Sequence, residues 1–582
     1  MKRIAIIDKE KCKAPEKCDY LCMKSCPIQK NNLPIFNILE NKKPSIDESY
    51  CIGCGICVKK CPFDAIIIIN LTKEPEDRPV FQYGPNTFRL YRLPVIKENN
   101  IIGIIGRNGI GKSTAINIIA GLLKPNFGYY DKDISNEEII RNFRGSELQK
   151  YFQRLYNKEI NISYKPQDIL KIKNLFKNLT VREFLSKVVD VNSLSKYNIN
   201  NILDRKIENL SGGELQKVIY IYSVYKEHNL LLIDELTNYL DIYERLNIFN
   251  DLSDRKENDT IIIIDHDLLF LDSISDIVHI VYGIRKAYGV FSHSIGAKEG
   301  VNQYLNGFIR RENLKIRDKP IRLDVKSYTD IKLGKDILYW ENININLGGF
   351  SLDAEKGNIK EYEILGIIGR NGIGKSTFMN ALVGGIRYNG TISRNVSISY
   401  KPQYFEFNED ITVNQFLSRF NDKYRTEYNE YLTELDINNI LDRKIENLSG
   451  GESQLLYTFA TLIKDADLYL FDEPFANLDI EQRLLLSKII RDIIKSKGKA
   501  GLIIDHDLLF LNWISDRILV FLGEPGKYGK VNGPYENKEA LNLFLKEVNI
   551  TMRLDKETNR PRINKLNSRL DLIQKEKGIY IE

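Results

Sequence analysis

No apolar run in this 582-residue sequence approaches the roughly 20 residues that a bilayer-spanning helix needs. The longest, Ala65 to Asn70 and Thr260 to Asp265 among them, fall far short, so no membrane association is predicted. The opening MKRIAIIDKEKC meets charge and cysteine at once and has no apolar stretch of the kind a signal peptide requires, so the chain reads as cytoplasmic. Cysteine is absent after Cys61. All eight lie between Cys12 and Cys61, which argues against a disulfide framework and for a local metal site in a reducing compartment. Low-complexity tracts are also lacking, and an apolar share of 43% beside 28% charged residues excludes global disorder. A formal charge of +6 is a mild basic excess that favours a polyanionic partner without identifying one. The length points to about three to five domains.

What is present is repetition. GIIGRNGIGKST at Gly103 returns at Gly366, ISYKPQ at Ile162 returns at Ile398, INNILDRKIENLSGGE at Ile199 returns at Ile437, and IDHDLLFL at Ile264 returns at Ile504. The first block recurs 263 residues on and ISYKPQ 236 residues on, so the first copy carries 27 extra residues between them. In each copy β-branched runs precede Gly-rich turns and helical patterns follow, the βαβ grammar of a mostly parallel sheet with flanking helices. The fold class is therefore α/β with two cassettes.

GxxxxGKS occurs at Gly106 to Ser113 and at Gly369 to Ser376, each after an Ile-rich strand. Gly106, Asn108, Gly109, Gly111 and Thr114, with Gly369, Asn371, Gly372, Gly374 and Thr377, form loops whose backbone N–H groups converge on phosphate at a helix N-terminus. Lys112 and Lys375 neutralise the β/γ charge, and Ser113 and Ser376 hold magnesium. Two apolar strands end in acidic pairs, Asp234 with Glu235 and Asp472 with Glu473. The first carboxylate of each suits a magnesium-bound water and the second can orient or deprotonate the attacking water, which makes Glu235 and Glu473 the catalytic candidates. His266 and His506 recur after the next strand. A lone histidine is usually structural, but the recurrence favours contact with the γ-phosphate. Tyr83, Phe88 and Phe350, ahead of the loops, are candidates to stack on adenine or to pack in the core.

LSGGE, at Leu210 and Leu448, lies between YKPQ and the acidic strand in both copies, and the set resembles the motif order of ABC ATPases. That resemblance implies that Gln167 and Gln403 are Q-loop residues on magnesium, that Asp241 and Asp479 are D-loop residues, and that two cassettes face head to tail. Lys112 would then share ATP with Ser449 and Gly451, and Lys375 with Ser211 and Gly213. The chain departs from the family pattern at Leu236, where proline, as at Pro474, is usual.

CxxCxxCxxxCP from Cys51 to Pro62 is the bacterial ferredoxin run, in which three thiolates bind one cubane and the fourth serves another. The partner run, Cys12, Cys18, Cys22 and Cys26, has looser spacing and would admit zinc in isolation. Crossed ligation assigns Cys26, Cys51, Cys54 and Cys57 to one [4Fe–4S] cluster and Cys12, Cys18, Cys22 and Cys61 to a second.

A ferredoxin-like domain fused to two such cassettes resembles the ABC-E, or RNase L inhibitor, family. The resemblance implies a ribosome-recycling ATPase with two clusters, two ATP and Mg2+, whose partners are the small ribosomal subunit, its RNA and a release-factor-like protein of the Pelota type. Expected boundaries are 1–75 for the iron–sulfur domain, 76–290 for the first cassette with a helix-loop-helix at about 130–160, 291–335 for a hinge, 336–525 for the second cassette, and 526–582 for a C-terminal hinge segment. The inserted FRGSELQKYFQRLYNKEI, from Phe143, would touch the small subunit or merely cap its own cassette. Arg310, Arg311 and Arg562 are expected to line the cassette interface and contact ribosomal RNA. The chain is expected to be a monomer. A rival from another class is an ATP-coupled iron–sulfur electron-transfer protein.

Overall fold

The computed structural model describes all residues except 1–2, 8–10, 31–34, 39–41, 48–49, 71–77, 318–319, 322–332, 394–395, 404–409, 556–557, 559 and 582. Among the described residues no helix is long and apolar enough to cross a membrane.

The N-terminal domain is an antiparallel pair, Arg3–Ile7 with Ile66–Asn70, beside the hairpin Phe36–Ile38/Pro44–Ile46 and the short helices Leu21–Ser25, Pro27–Lys30 and Ile56–Lys60. Its core is small, and Cys12, Cys22, Cys26 and Cys57 make up part of it. The Ile46 N–H donates to the Asn86 side chain, which ties this domain to the first cassette.

Each cassette is built on a nine-stranded sheet. In the first, Ile162–Lys165, Leu230–Asp234, Thr260–Ile264, Ile101–Gly106 and Ile277–Ile284 run parallel in that spatial order. Ile398–Lys401, Leu468–Asp472, Ala500–Ile504, Ile364–Gly369 and Arg517–Glu524 repeat the order in the second. Both phosphate-loop strands are buried along their whole length, as parallel strands covered on both faces are, which explains their unbroken apolar runs. The sheets differ at their antiparallel edges. Phe81–Gln82 and Arg89–Tyr91 are stubs in the first cassette, whereas Asp336–Asn346 and Ser351–Lys360 form a long hairpin in the second.

Two expected boundaries are corrected by strand pairing. Tyr288–Phe291 and Ile295–Gly296 both pair with Ile277–Ile284, so the first sheet runs past 290. Likewise, Tyr528–Tyr535 pairs with Arg517–Glu524, so a cut at 525 would divide a hairpin. The expected insertion is a helical pair, Asn136–Asn142 and Glu147–Tyr156, and Ile139, Phe143, Tyr151 and Phe152 bury it against its own cassette.

The connector is more ordered than its turn-rich sequence suggests. It begins with the helix Ala297–Asn306, which buries Val301, Tyr304 and Leu305, and Arg317 reaches Glu481 of the second cassette at 3.0 Å. Much of its remainder lies outside the described residues. The C-terminal segment folds back on the first cassette: Arg560, 1% exposed, meets Asp272 at 3.0 Å, and Arg562 adds a second contact to Asp272 at 3.2 Å. Arg562 is thus engaged in an interdomain ion pair. Arg310 and Arg311 lie in a 3-10 turn, and Arg310 pairs loosely with Glu299.

Candidate functional site

The two phosphate loops end in the helices Lys112–Ile119 and Lys375–Leu382. The residues before them, Gly111 and Gly374, have φ of 93° and 97°, in the left-handed region, and a Cβ there would lie 2.4 Å from Phe88 and 2.7 Å from Phe350. Phe88 and Phe350 are thereby placed in equivalent positions, packed against their loops. Tyr83 is 54% exposed, and its hydroxyl lies 3.1 Å from Thr114 Oγ1 on the loop helix. Thr377 holds the same helical position in the second copy. Lys112 Nζ donates to the carbonyls of Gly106 and Arg107 at 2.8 and 2.7 Å, and Lys375 Nζ to those of Gly369 and Arg370 at 2.9 and 2.8 Å. Burial pulls both ammonium groups below their usual range, against the pull of nearby carboxylates.

Strand ends converge on these loops. Ser113 Oγ donates to Asp234 at 3.1 Å and Ser376 Oγ to Asp472 at 2.7 Å. Gln167 Nε2 donates to Glu235 Oε1 at 2.6 Å and Gln403 Nε2 to Glu473 Oε1 at 2.7 Å. Both glutamates sit in the left-handed region, with φ of 50° and 48°. A non-glycine residue keeps that conformation only where its surroundings enforce it, and such strain clusters at functional sites.

Electrostatics separate the copies. Burial, aided by Asp234, raises Glu235 to about 7 despite Lys112. Burial would also raise Glu473, but His506, Gln403 and Lys375 outweigh it and hold the carboxyl at about 2. The histidines account for the contrast. His506 Nε2 lies 3.2 Å from Glu473 Oε1, close enough for an ion pair though misaligned for a hydrogen bond. His266 Nε2 instead meets Asn108 Oδ1 at 2.8 Å and stands 3.7 Å from Glu235. Burial, with Lys112 and Arg483 nearby, drives His266 well below its ordinary value and so toward the neutral form.

The sites are joined across the interface. Asn108 N–H donates to Asp479 Oδ2 at 2.9 Å, and Asn371 N–H donates to Asp241 Oδ2 at 2.6 Å. Asn371 Nδ2 also reaches the Tyr239 carbonyl at 3.0 Å and would lie 3.5 Å from a Cβ on Gly213. Each phosphate loop is therefore bonded to the D-loop of the other cassette, in the head-to-tail arrangement. Ser211 and Ser449 cap the helices Gly212–Tyr225 and Gly450–Ile463 through reciprocal bonds with Glu214 and Glu452. Gly451 packs against the Asn477 carbonyl of its own cassette.

Motif reading missed several participants. Asn238 bonds Glu235 at 2.7 Å and reaches Asn477 across the interface at 3.2 Å. Arg107 pairs with Glu481, and Arg370 stacks over Tyr243 at 4.0 Å. Lys165 and Lys401 lie buried behind the catalytic candidates. The arginines and lysines lie in repeated blocks, GRNG and YKPQ, so exact recurrence was the available signal for them; Asn238, Asn477, Tyr243 and Glu481 lie outside those blocks.

In the N-terminal domain the thiols sort by space rather than by sequence. Cys12, Cys18, Cys22 and Cys61 line one cavity, and Cys26, Cys51, Cys54 and Cys57 line another. Burial pushes Cys22 up to about 12 and Cys57 up to about 11, and neighbouring thiols of the same set add to both. Among the described residues no three His, Cys, Asp or Glu converge tightly enough for a single metal ion. Four soft sulfur donors around each cavity fit the larger iron–sulfur cube.

The profile described as "ABC transporter" matches residues 95–238 and 352–476, "4Fe-4S binding domain" matches 44–67, and "Possible Fer4-like domain in RNase L inhibitor" matches 3–34. The chain therefore carries a 4Fe–4S binding domain and two ATPase cassettes. It is 37% identical to "ABC transporter E family member 1" of Arabidopsis thaliana, over 99% of this chain and 98% of the relative. It superposes on a solved structure described as ribosome-bound archaeal Pelota and ABCE1 with a TM-score of 0.94, at 40% identity, covering 100% of this chain and 99% of the other. The complex of archaeal stalk protein aP1 with the archaeal ribosome recycling factor aABCE1 matches with a TM-score of 0.79, at 40% identity, covering 88% and 100%. With full-length identity, both cassette profiles and the N-terminal profile in agreement, the chain belongs to the ABC-E family of RNase L inhibitor-type ATPases.

Proposed function

We propose that this protein is a cytoplasmic, ATP-driven ribosome-recycling factor that splits ribosomes with a Pelota-type partner and stays on the small subunit. The observation that carries the reading is the fused plan: two head-to-tail cassettes and a four-iron-cluster domain in one chain, matching a ribosome-bound relative from end to end. Both nucleotide sites are completed within one chain, so the factor works as a monomer.

Each ATP would lie between Lys112 and the Ser449–Gly451 turn, or between Lys375 and the Ser211–Gly213 turn. Its phosphates would displace the lysine ammonium groups from their own loop carbonyls. Magnesium, which would neutralise phosphate charge when bound, fits the hard oxygens that already adjoin, Ser113 with Asp234 and Ser376 with Asp472, with Gln167 and Gln403 beside them. Glu235 and Glu473 would orient or deprotonate water, and His266 and His506 would contact the γ-phosphate. Because ATP bridges both halves, binding favours closure, and closure moves the N-terminal domain through its bond to Asn86. Two [4Fe–4S] clusters, one in each four-thiol cavity, would hold together a domain with little core of its own.

The test is a density-gradient assay of ribosomes incubated with the iron-loaded protein and a Pelota-type factor. Free subunits are expected with ATP and with a non-hydrolysable analogue, and not with ADP. Intact ribosomes under all three conditions, or ATP-dependent reduction of an electron acceptor without splitting, would overturn the proposal.

A further inference from the structure

Behind each catalytic glutamate lies a lysine that no motif assigns. Lys165 and Lys401 are 0% exposed, the most secluded lysines and arginines among the described residues of the two cassettes. Each ends the strand next to the acidic strand, in register with Ile233 and Phe471. From there the side chain crosses the tip of its neighbour. Lys165 Nζ donates to the carbonyls of Asp234 at 2.8 Å and Glu235 at 2.7 Å, and Lys401 Nζ to those of Asp472 at 2.8 Å and Glu473 at 3.2 Å. The bonded carbonyls flank the peptide at which the chain turns into the left-handed conformation of Glu235 and Glu473.

Burying an ammonium is unfavourable, and a core position at a strand end would ordinarily hold an apolar residue. The lysine's retention in both copies needs a reason that packing does not supply. The backbone geometry supplies one. The left-handed glutamate persists only if its surroundings enforce it, and charge-assisted bonds to both flanking carbonyls do so.

We propose that Lys165 and Lys401 are positioning residues for hydrolysis: each clamps the strained backbone of its catalytic glutamate and so aims that carboxylate at the attacking water. The inference rests on the reading of Glu235 and Glu473 as the water-activating groups. Lys165 does not touch the nucleotide pocket, which lies beyond the carboxylates, so its removal spares ATP binding.

The experiment uses the full-length, iron-loaded chain with Glu473→Gln, so that only the site of Lys112 turns over. In that background Lys165→Met is compared with Lys165→Gln, which keeps a donor but not the charge, and with Glu235→Gln. Turnover, affinity for a fluorescent ATP analogue and melting temperature are read. Lys165→Met is expected to lower kcat by about tenfold or more with affinity changed by about twofold at most. Lys165→Gln, which keeps a donor toward the two carbonyls, should recover part of kcat. Parental kcat in Lys165→Met, beside an inactive Glu235→Gln, would overturn the lysine's role alone. Loss of affinity and melting temperature together in both lysine variants would make it a strut of the fold and also overturn it. Parental turnover by Glu235→Gln would instead overturn the reading of the glutamate, and the inference with it.

Discussion

The two cassettes share their motifs almost letter for letter, yet they differ where the motifs stop. After the first glutamate the chain reads Leu236–Thr237, and after the second Pro474–Phe475. Leu236 N–H and Thr237 N–H donate to Asp265 Oδ2 at 3.0 and 2.9 Å, and the Thr237 hydroxyl reaches Asp265 Oδ1 at 2.6 Å. Proline has no N–H and phenylalanine no hydroxyl, so two of these three donors have no counterpart for Asp505, and burial raises its carboxyl. The departure at Leu236 is thus matched by a partner rather than being a defect. A second difference follows His266 and His506, where Asp272 stands in the first copy and Asn512 in the second. Only the first can receive Arg560 and Arg562, which is why the C-terminal segment docks on the first cassette. Duplicated sequence preserves phosphate chemistry; single side chains outside it assign each copy its neighbours.

Exchanging those side chains would sharpen the contrast. Asp272→Asn gives the first cassette the residue of the second and leaves the buried Arg560 without its counter-charge. Breaking such a pair costs about 3–5 kcal/mol, and hydrogen exchange should show the C-terminal hairpin Met552–Leu554/Pro561–Ile563 released. Protection equal to the parent would deny that the ion pair docks the segment.

The next effect is on pH dependence. A carboxylate that activates water must be ionised, so with Glu473→Gln the remaining site, whose Glu235 titrates at about 7, should lose rate as pH falls through that value. The loss should approach tenfold per pH unit below it. With Glu235→Gln the remaining Glu473, held at about 2, stays ionised, and its profile should be flat from about pH 5 to 8. Superimposable profiles would erase the electrostatic distinction drawn from His266 and His506. The smallest effect is expected from Leu236→Pro, which removes one charge-assisted bond to Asp265 and should cost the first cassette about 2 kcal/mol in thermal unfolding. Pro474→Leu removes no hydrogen bond and should cost less than Leu236→Pro. Equal effects would mean that Asp265 does not use the Leu236 N–H.

Much of this was legible in advance because phosphate loops and cysteine runs impose residue types at fixed spacing. Lys112, Ser113 and Gln167 come together as the motif order implies, and the thiols sort into the crossed sets that ferredoxin spacing suggests. Domain ends were not legible: Tyr528–Tyr535 and Ile295–Gly296 close sheets through pairing with distant strands, a contact that local turn signals at 523–526 and 283–296 conceal. Nor was the fate of Arg562, since a basic tail bound to Asp272 and one bound to RNA look alike as sequence. Lys165 was missed for the opposite reason. A lysine ending a half-buried edge strand reads as solvated until its side chain is shown to be buried.

The central claim, that ATP binding closes the clamp on the small subunit and hydrolysis releases it, is tested most directly by Glu235→Gln combined with Glu473→Gln in co-sedimentation with small subunits. The substitution keeps size and hydrogen bonding, leaves the grip of Lys112 and Lys375, and removes the groups that activate water, so turnover should fall about a hundredfold or more. The protein should accumulate on small subunits with ATP and not with ADP, and stay there. Turnover at the parental rate, or equal binding with either nucleotide, would contradict the account.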